Sequence, residues 1–350
     1  MKSISPLISI VVIGMNEEKN LDTTFSAIQN MDYPAEKLEL IYCDTGSSDE
    51  SVNIAKKYTD KVFIEKSNWP TPGLARNRGL LEASHDIVHF IDGDIQIDKN
   101  YLKKAVDKIQ QSDVDAVYGF LEERSKQGIN KILLSHWKNK KEGYSSATGG
   151  GGTYKKSCLL RVNGYDERIR KGQETELGER LRKAGYKIWF LNTIMGIHNY
   201  GVKSIIDYCK IQIIDGKSKS YNMLLGETNQ FFMDIKKRSI NNIVVNTFLF
   251  IMGAILIILK EFLLLGMGLF IWAVIYPTIK FYVIRKIHDK DRIKSVLLTN
   301  ITRPLAFWGQ ITIFVKYLYY SKIKKNEFLQ KKMTIKKSLK NINHENFNNC

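Results

Sequence analysis

The first hundred residues alternate short apolar runs with amphipathic stretches. Apolar runs rich in β-branched residues occupy positions 7–13, 38–43, 62–65 and 87–91, and each has the length of a strand. The stretches between them predict helices over 20–30, from the capping signal at 47–50 to 58, and over 74–83. Since these strands are apolar on both faces, the alternation predicts an α/β fold with a mainly parallel sheet covered by helices.

The pattern is less regular after residue 100. It predicts a helix over 101–110, a strand over 116–118, a helix over 175–184 and a strand over 187–191. A glycine-rich turn at Gly149–Gly152 interrupts this part of the chain. Residues 1–235 are therefore expected to form one α/β domain.

The last third has a different pattern. Residues 243–259 and 262–279 form two uncharged runs separated only by Lys260 and Glu261, which predicts a transmembrane hairpin within residues 236–295. Both flanks of the hairpin are basic, so the positive-inside rule places both ends, and the α/β domain, in the cytoplasm. Residues 296–350 are expected to form an interfacial or re-entrant segment at 296–320 and a basic tail. The alternative is a buried helical pair in a soluble domain.

The charge distribution supports the membrane prediction. The chain has a net charge of +17, and from residue 236 onward 20 basic residues stand against 5 acidic ones. Because this excess flanks apolar stretches, anionic membrane lipids are the expected partner, and nucleic acid is not. The four cysteines show no zinc or disulfide spacing, and no signal peptide is expected.

Polar residues follow three of the predicted strands. They are Asn16-Glu17-Glu18, Asp44-Thr45-Gly46-Ser47 and Asp92-Gly93-Asp94. In parallel sheets, ligands bind at the carboxyl ends of the strands. Carboxylates at such an edge can bind Mn²⁺ or Mg²⁺, which would share its coordination shell with diphosphate oxygens.

Six sequence blocks, in this order, resemble family-2 glycosyltransferases of the GT-A fold over about residues 5–200. The blocks fall at 10–21, 44–49, 73–79, 92–94, 164–167 and 172–181. The resemblance implies an inverting enzyme that transfers one sugar from a nucleotide-sugar, with UDP as the expected nucleotide. The acceptor would be lipid-linked or a saccharide at the membrane, in glycan or polysaccharide assembly, and the cofactor Mn²⁺ or Mg²⁺.

The resemblance also implies donor-side roles. Glu17 and Asp44 would face the nucleotide base and ribose, and Arg76 the base or diphosphate. Asp94 would be the principal metal ligand, with Asp92 nearer the ribose or held through water. A guanidinium group suits phosphate oxygens, and carboxylates accept hydrogen bonds from a base or ribose, so the residue types agree. For Glu17 the alternative is an acid favoured at a helix N-terminus.

Further roles concern the metal and the acceptor. His198 would be another metal ligand, with a purely structural histidine as the alternative. Gly151 and Gly152 would let the backbone approach a sugar, because glycine has no Cβ.

Inversion requires a base that takes the proton of the acceptor hydroxyl. By the resemblance Glu174 is that base, although family members carry Asp there, and Gln173 replaces the usual preceding Glu. Gln173 is expected to contact the acceptor, and Glu176 is the competing base. Two other functions stay open: glycosyl transfer to a polyprenyl phosphate, which needs no strong base, and a catalytically inactive membrane scaffold.

Overall fold

A computed structural model describes residues 5–68, 70–123, 141–198 and 204–225, together with eleven helical positions between 252 and 312, of which 267–269 are consecutive. Its strands are β1 Ile8–Gly14, β2 Leu38–Asp44, β3 Val62–Ile64, β4 Ile87–Asp92, β5 Ile95–Ile97, β6 Ala116–Glu123, β7 Gly143–Tyr144, β8 Gly152–Lys155 and β9 Ile188–His198. Its helices are α1 Leu21–Gln29, α2 Ser51–Ala55, α3 Pro72–Glu82, α4 Tyr101–Gln111, α5 Lys156–Arg161, α6 Gln173–Lys183 and α7 Ile205–Leu225.

All of these strands belong to one sheet, in the order β3-β2-β1-β4-β8-β6-β9-β5, with β7 paired to β9. The first four strands are parallel, as the alternation of strands and helices predicts. Beyond β4 the sheet is mixed, since β8 runs antiparallel to β4 and β6, and β5 and β7 run antiparallel to β9. The prediction of a mainly parallel sheet is therefore wrong for the second half, where most strand pairs are antiparallel and β6 pairs parallel with β9.

The core lies on both sides of the central strand β1, whose residues from Ile8 to Val12 are completely buried. Helix α3 packs closely against this strand. A Cβ at Gly79 would lie 2.1 Å from Cγ1 of Val11, so no side chain fits there. This close approach fixes the position of α3, which carries Arg76 into the site described below.

Two element boundaries affect the site. The strand that the sequence predicts over 187–191 extends to His198 as β9, so this histidine lies at a strand end. Helix α6 begins at Gln173, two residues earlier than predicted, which places Glu174 in its first turn.

The predicted membrane segments at 243–259, 262–279 and 296–320 lie outside the described residues, apart from a few helical positions. Within the portion that is described, no helix is both long and apolar enough to cross a bilayer.

Candidate active site

The carboxyl ends of three adjacent parallel strands meet at one edge of the sheet. Gly14 at the end of β1 is in register with Asp44 of β2, and Ile13 is in register with Asp92 of β4. The polar groups that follow these strands therefore lie on the same edge, as the sequence predicts.

Hydrogen bonds join the loops that follow β1 and β2. The Asn16 amide donates to Oγ of Ser47 at 2.8 Å, and Oδ1 of Asn16 accepts from the Ser48 amide at 2.9 Å. The Glu17 amide donates to Oγ of Ser51, also at 2.8 Å. Asn16 has a φ of 59°, a left-handed conformation that asparagine tolerates better than most residues. The two loops thus form one continuous rim beside the acids.

Asp44 is buried within its own turn. Its Oδ1 accepts from the amides of Gly46 at 2.7 Å and Ser47 at 2.6 Å. Its Oδ2 accepts from the hydroxyls of Tyr42 at 2.9 Å and Ser47 at 2.6 Å. Because the residue has no exposed surface, these four contacts make its carboxylate the centre of the turn.

Replacing Asp44 with alanine is expected to lower the free energy of unfolding by about 3 kcal/mol, because buried donors lose charge-assisted hydrogen bonds. Urea denaturation measures the loss, and Asp44→Asn, which keeps part of the network, should lose less. Unchanged stability together with weaker nucleotide binding would contradict the structural role and support the predicted contact with the nucleotide.

Arg76 lies beneath the site and joins its two sides. Its Nη2 donates to Oδ1 of Asp92 at 2.7 Å, and its Nη1 donates to Oε1 of Gln173 at 2.7 Å. The same Nη1 lies 3.4 Å from Oε1 of Glu174. The guanidinium carbon lies 5.2 Å from the centre of the Tyr165 ring. With 2% of its surface exposed, Arg76 is surrounded by protein.

The acids at this edge repel one another. Burial raises the pKa of Asp92, and although Arg76 opposes this, Asp94 and Glu174 raise it further. Burial also raises the pKa of Glu17; a hydrogen bond from Asn20 lowers it, while the charges of Asp94 and Asp92 raise it. A cation bound here would relieve this repulsion.

Asp94 and His198 meet because β5 pairs with the end of β9. Ile95 is opposite His198 in that pairing, so the preceding residue, Asp94, lies beside the imidazole. The Nε2 of His198 is 3.0 Å from Oδ2 of Asp94. A carboxylate and an imidazole side by side suit Mn²⁺. In the described ranges no group of three His, Cys, Asp or Glu could hold a metal, so further oxygen ligands would have to come from a bound diphosphate or water.

The two candidate bases differ in accessibility. Glu174 has 25% of its side chain exposed, and its backbone oxygen accepts from the amide and hydroxyl of Thr148 at 3.3 and 3.0 Å. Glu176 is 2% exposed, and its carboxylate accepts from Nε and Nη2 of Arg180, both at 2.6 Å. Glu174 thus shares Arg76 with Asp92 at the sheet edge, whereas Glu176 is held by Arg180.

Gln173 is as buried as Arg76. Its Oε1 accepts from Arg76, and its Nε2 donates to the backbone oxygen of Ile169. Both polar atoms of its amide are therefore engaged within the protein.

Gly151 and Gly152 pass between neighbouring strands. They have φ angles of 151° and 152°, and a Cβ would lie 2.9 Å from the Phe90 oxygen at Gly151 and 3.0 Å from the Val117 oxygen at Gly152. Sheet packing explains both glycines. Gly150 is more open, since its Cβ would meet only Leu121, at 3.9 Å.

Two residues that the sequence motifs do not single out for a role of their own, Thr148 and Tyr165, also contribute to the site. Thr148 anchors the first turn of α6, and Tyr165 supports Arg76. Tyr165 lies in a motif that the resemblance had already marked, whereas Thr148 has no signal in the sequence.

The parallel half-sheet with acids at its carboxyl edge, followed by a mixed half, defines an α/β protein of the GT-A type. Residues 9–166 match the profile of Glycosyl transferase family 2. The matched residues include the edge formed by the ends of β1, β2 and β4.

Curated relatives and a solved structure are similar to this chain. Glycosyltransferase AglE of Haloferax volcanii is 24% identical over 209 residues, which cover 57% of this chain and 68% of AglE. A Methanococcus voltae dolichyl N-acetyl-alpha-D-glucosaminyl phosphate 3-beta-D-2,3-diacetamido-2,3-dideoxy-beta-D-glucuronosyltransferase is 25% identical over 248 residues, 63% of this chain and 75% of that protein.

The solved structure is the mannosyltransferase PcManGT of Pyrobaculum calidifontis in complex with GDP-Man and Mn²⁺. It superimposes with a TM-score of 0.58, 15% sequence identity and coverage of 88% of both chains. At this identity the similarity shows the fold alone.

Proposed function

We propose that this protein is an inverting, metal-dependent glycosyltransferase that transfers a single sugar from a nucleotide-sugar to a lipid-linked or saccharide acceptor. The observation that carries the proposal is the edge of the sheet at which Glu17, Asp92, Asp94, Glu174 and His198 gather within or beside a family-2 domain. Two curated relatives are glycosyltransferases, and the name of one specifies a dolichyl phosphate-linked acceptor.

On the donor side, Asp94 and His198 would hold Mn²⁺ or Mg²⁺. When bound, the cation would offset the negative charge of the leaving diphosphate. Glu17, on the rim beside Asp92, would face the nucleotide, for which UDP is the first candidate. Asp44 would act by holding the turn that borders the pocket, since its carboxylate is fully engaged.

On the acceptor side, Glu174 would take the proton from the attacking hydroxyl. Its Oε1 faces Arg76, and no hydrogen bond to its Oε2 is present in the described part of the chain. Gly151 and Gly152 lie in the segment after Thr148, which anchors Glu174, so this segment would border the acceptor. The predicted contact of Gln173 with the acceptor would have to arise from its backbone, because its side chain is buried.

The acceptor also suggests where the protein acts. A lipid-linked acceptor would favour attachment of the domain to the cytoplasmic face of the cell membrane through the basic, apolar residues after 236. Anionic lipids would then bind the basic flanks.

A second acceptor class is a polyprenyl phosphate, whose oxygen is already ionised and requires no base. One observation favours this alternative. The acid that the first turn of α6 brings to the site is Glu174, and its carboxylate already contacts Arg76. Replacement of Glu174 separates the two acceptor classes, because only a hydroxyl acceptor needs a base.

A ligand panel on the full-length protein tests the proposal. UDP, GDP and dTDP sugars are added with and without Mn²⁺, with ATP and Mn²⁺ as the control. One nucleotide-sugar should raise the melting temperature in the presence of Mn²⁺, whereas ATP should not. At a ligand concentration of a hundred times its Kd, the free energy of unfolding should rise by about 2.7 kcal/mol. If none stabilises the protein, the proposal fails; stabilisation without transfer or hydrolysis of the sugar would identify the inactive scaffold.

A further inference from the structure

Arg76 has a different environment from that of a phosphate-binding arginine. Its Nη1 and Nη2 donate to protein oxygens, and its Nε is buried without a hydrogen-bond partner among the described residues. A guanidinium that recognises phosphate must present its donors to the ligand. Here 2% of the residue is exposed, so no donor is available to a nucleotide.

The partners of Arg76 come from two distant segments. Asp92 ends strand β4 on the donor side, whereas Gln173 and Glu174 begin helix α6 on the acceptor side. The Arg76 guanidinium contacts one acid from each of these segments. It lies over the ring of Tyr165, which limits its movement away from them.

The rest of α3 docks onto the same acceptor-side segment. Asn77 donates to the Tyr165 backbone oxygen at 2.9 Å and accepts from the Tyr165 amide at 2.7 Å. Thr71 donates to the Glu167 backbone oxygen at 2.8 Å. Helix α3 therefore contacts residues 165–174 at several points, and among these contacts it is Arg76 that reaches the carboxylate of Glu174.

We propose that Arg76 is a positioning residue which, with Gln173, fixes Glu174 relative to Asp92 and does not contact the donor. Gln173 suits this role because its amide oxygen accepts from Arg76 while its amide nitrogen is anchored on Ile169. A third carboxylate at this position would compete with Asp92 and Glu174 for the same guanidinium. The expected effect on catalysis rests on the proposed glycosyl transfer, whereas the positioning of Glu174 relative to Asp92 does not.

The test compares Arg76→Gln with Arg78→Gln in the full-length protein. Arg78 is the matched control, because it lies in the same helix and pairs with Glu65 at 3.0 Å and Glu82 at 2.8 Å, away from Glu174. Hydrogen–deuterium exchange of residues 165–178 is measured, together with calorimetric binding of UDP and GDP with Mn²⁺ and with steady-state transfer kinetics.

For Arg76→Gln, exchange in residues 165–178 should become about tenfold faster, because the segment loses its anchor. The kcat should fall about 100-fold through misplacement of Glu174, with the donor KM and the nucleotide Kd unchanged. Arg78→Gln should alter none of these. If Arg76→Gln does not fold, Gln173→Leu provides the test, because it keeps the contact between Arg76 and Asp92. This variant should also lower kcat while leaving the donor KM unchanged.

A weaker nucleotide Kd with unchanged exchange would overturn the inference, because Arg76 would then contact the donor. Unchanged exchange with unchanged binding would also overturn it. If the wild-type protein binds neither UDP nor GDP, the proposed function fails for those donors, while the exchange measurement still decides whether Arg76 positions residues 165–178.

Discussion

Replacement of Asp94 by asparagine is expected to lower the rate of sugar transfer by about 10²–10³-fold, the usual loss when one preorganised electrostatic contact to the transition state is removed. Asparagine keeps the shape and the contact with His198 but loses the negative charge that a divalent cation requires. Dependence of the remaining activity on Mn²⁺ should weaken as well. The measurement is transfer from the stabilising nucleotide-sugar over a range of Mn²⁺ concentrations.

The matched control is Asp32→Asn, which removes the same charge from the protein surface. Asp32 is exposed and lies 3.6 Å from Lys103. Its replacement should leave both the rate and the Mn²⁺ dependence unchanged. If Asp94→Asn retains nearly normal transfer, Asp94 is not the metal ligand and the donor side of the site has been misassigned.

Replacement of Glu174 by glutamine is expected to reduce transfer to a hydroxyl acceptor by about 10²–10⁴-fold, the range for loss of a general base. Glutamine preserves an oxygen that can face Arg76, so the fold and donor binding should remain intact. Transfer to a polyprenyl phosphate should continue at nearly the normal rate, because that acceptor oxygen is already ionised. The variant therefore tests the base and identifies the acceptor class.

Glu176→Gln provides the comparison two residues further along the helix. Glu176 is paired with Arg180 inside the protein, so this variant should lose stability, by about 2 kcal/mol, and keep turnover at temperatures where it is folded. Melting curves and transfer rates of both variants distinguish the two roles. Loss of turnover in Glu176→Gln but not in Glu174→Gln would reverse the assignment.

The first half of the fold could be predicted from the sequence because its strands are short apolar runs that neighbouring residues along the chain reveal. Strands β1, β2 and β4 are six or seven residues long; β1 and β4 are nearly fully buried and β2 is buried over its last four residues, so their apolar patterns are clear. Strands β5, β7 and β8 have three, two and four residues, too few to show a period. Their pairing joins segments that are distant in the chain, such as Ile95 and His198, which no local pattern records.

The site shows the same limit at the level of single residues. In the structure, Asp44 lies at the end of β2, and Arg76 joins Gln173 to Asp92 at the end of β4. Residue type suggested ligand contacts for all three, but their partners depend on tertiary packing. Asp44 holds its own turn, and Arg76 and Gln173 hold each other, because burial leaves these polar groups no water to contact.

A crystal structure of the protein with UDP or GDP and Mn²⁺, with the metal located by its anomalous scattering, tests the central claim most directly. We predict one Mn²⁺ beside Asp94 and His198, in contact with the diphosphate, and the nucleotide along the rim that carries Glu17. A nucleotide bound elsewhere, or a metal in contact with neither Asp94 nor His198, would contradict the proposed site.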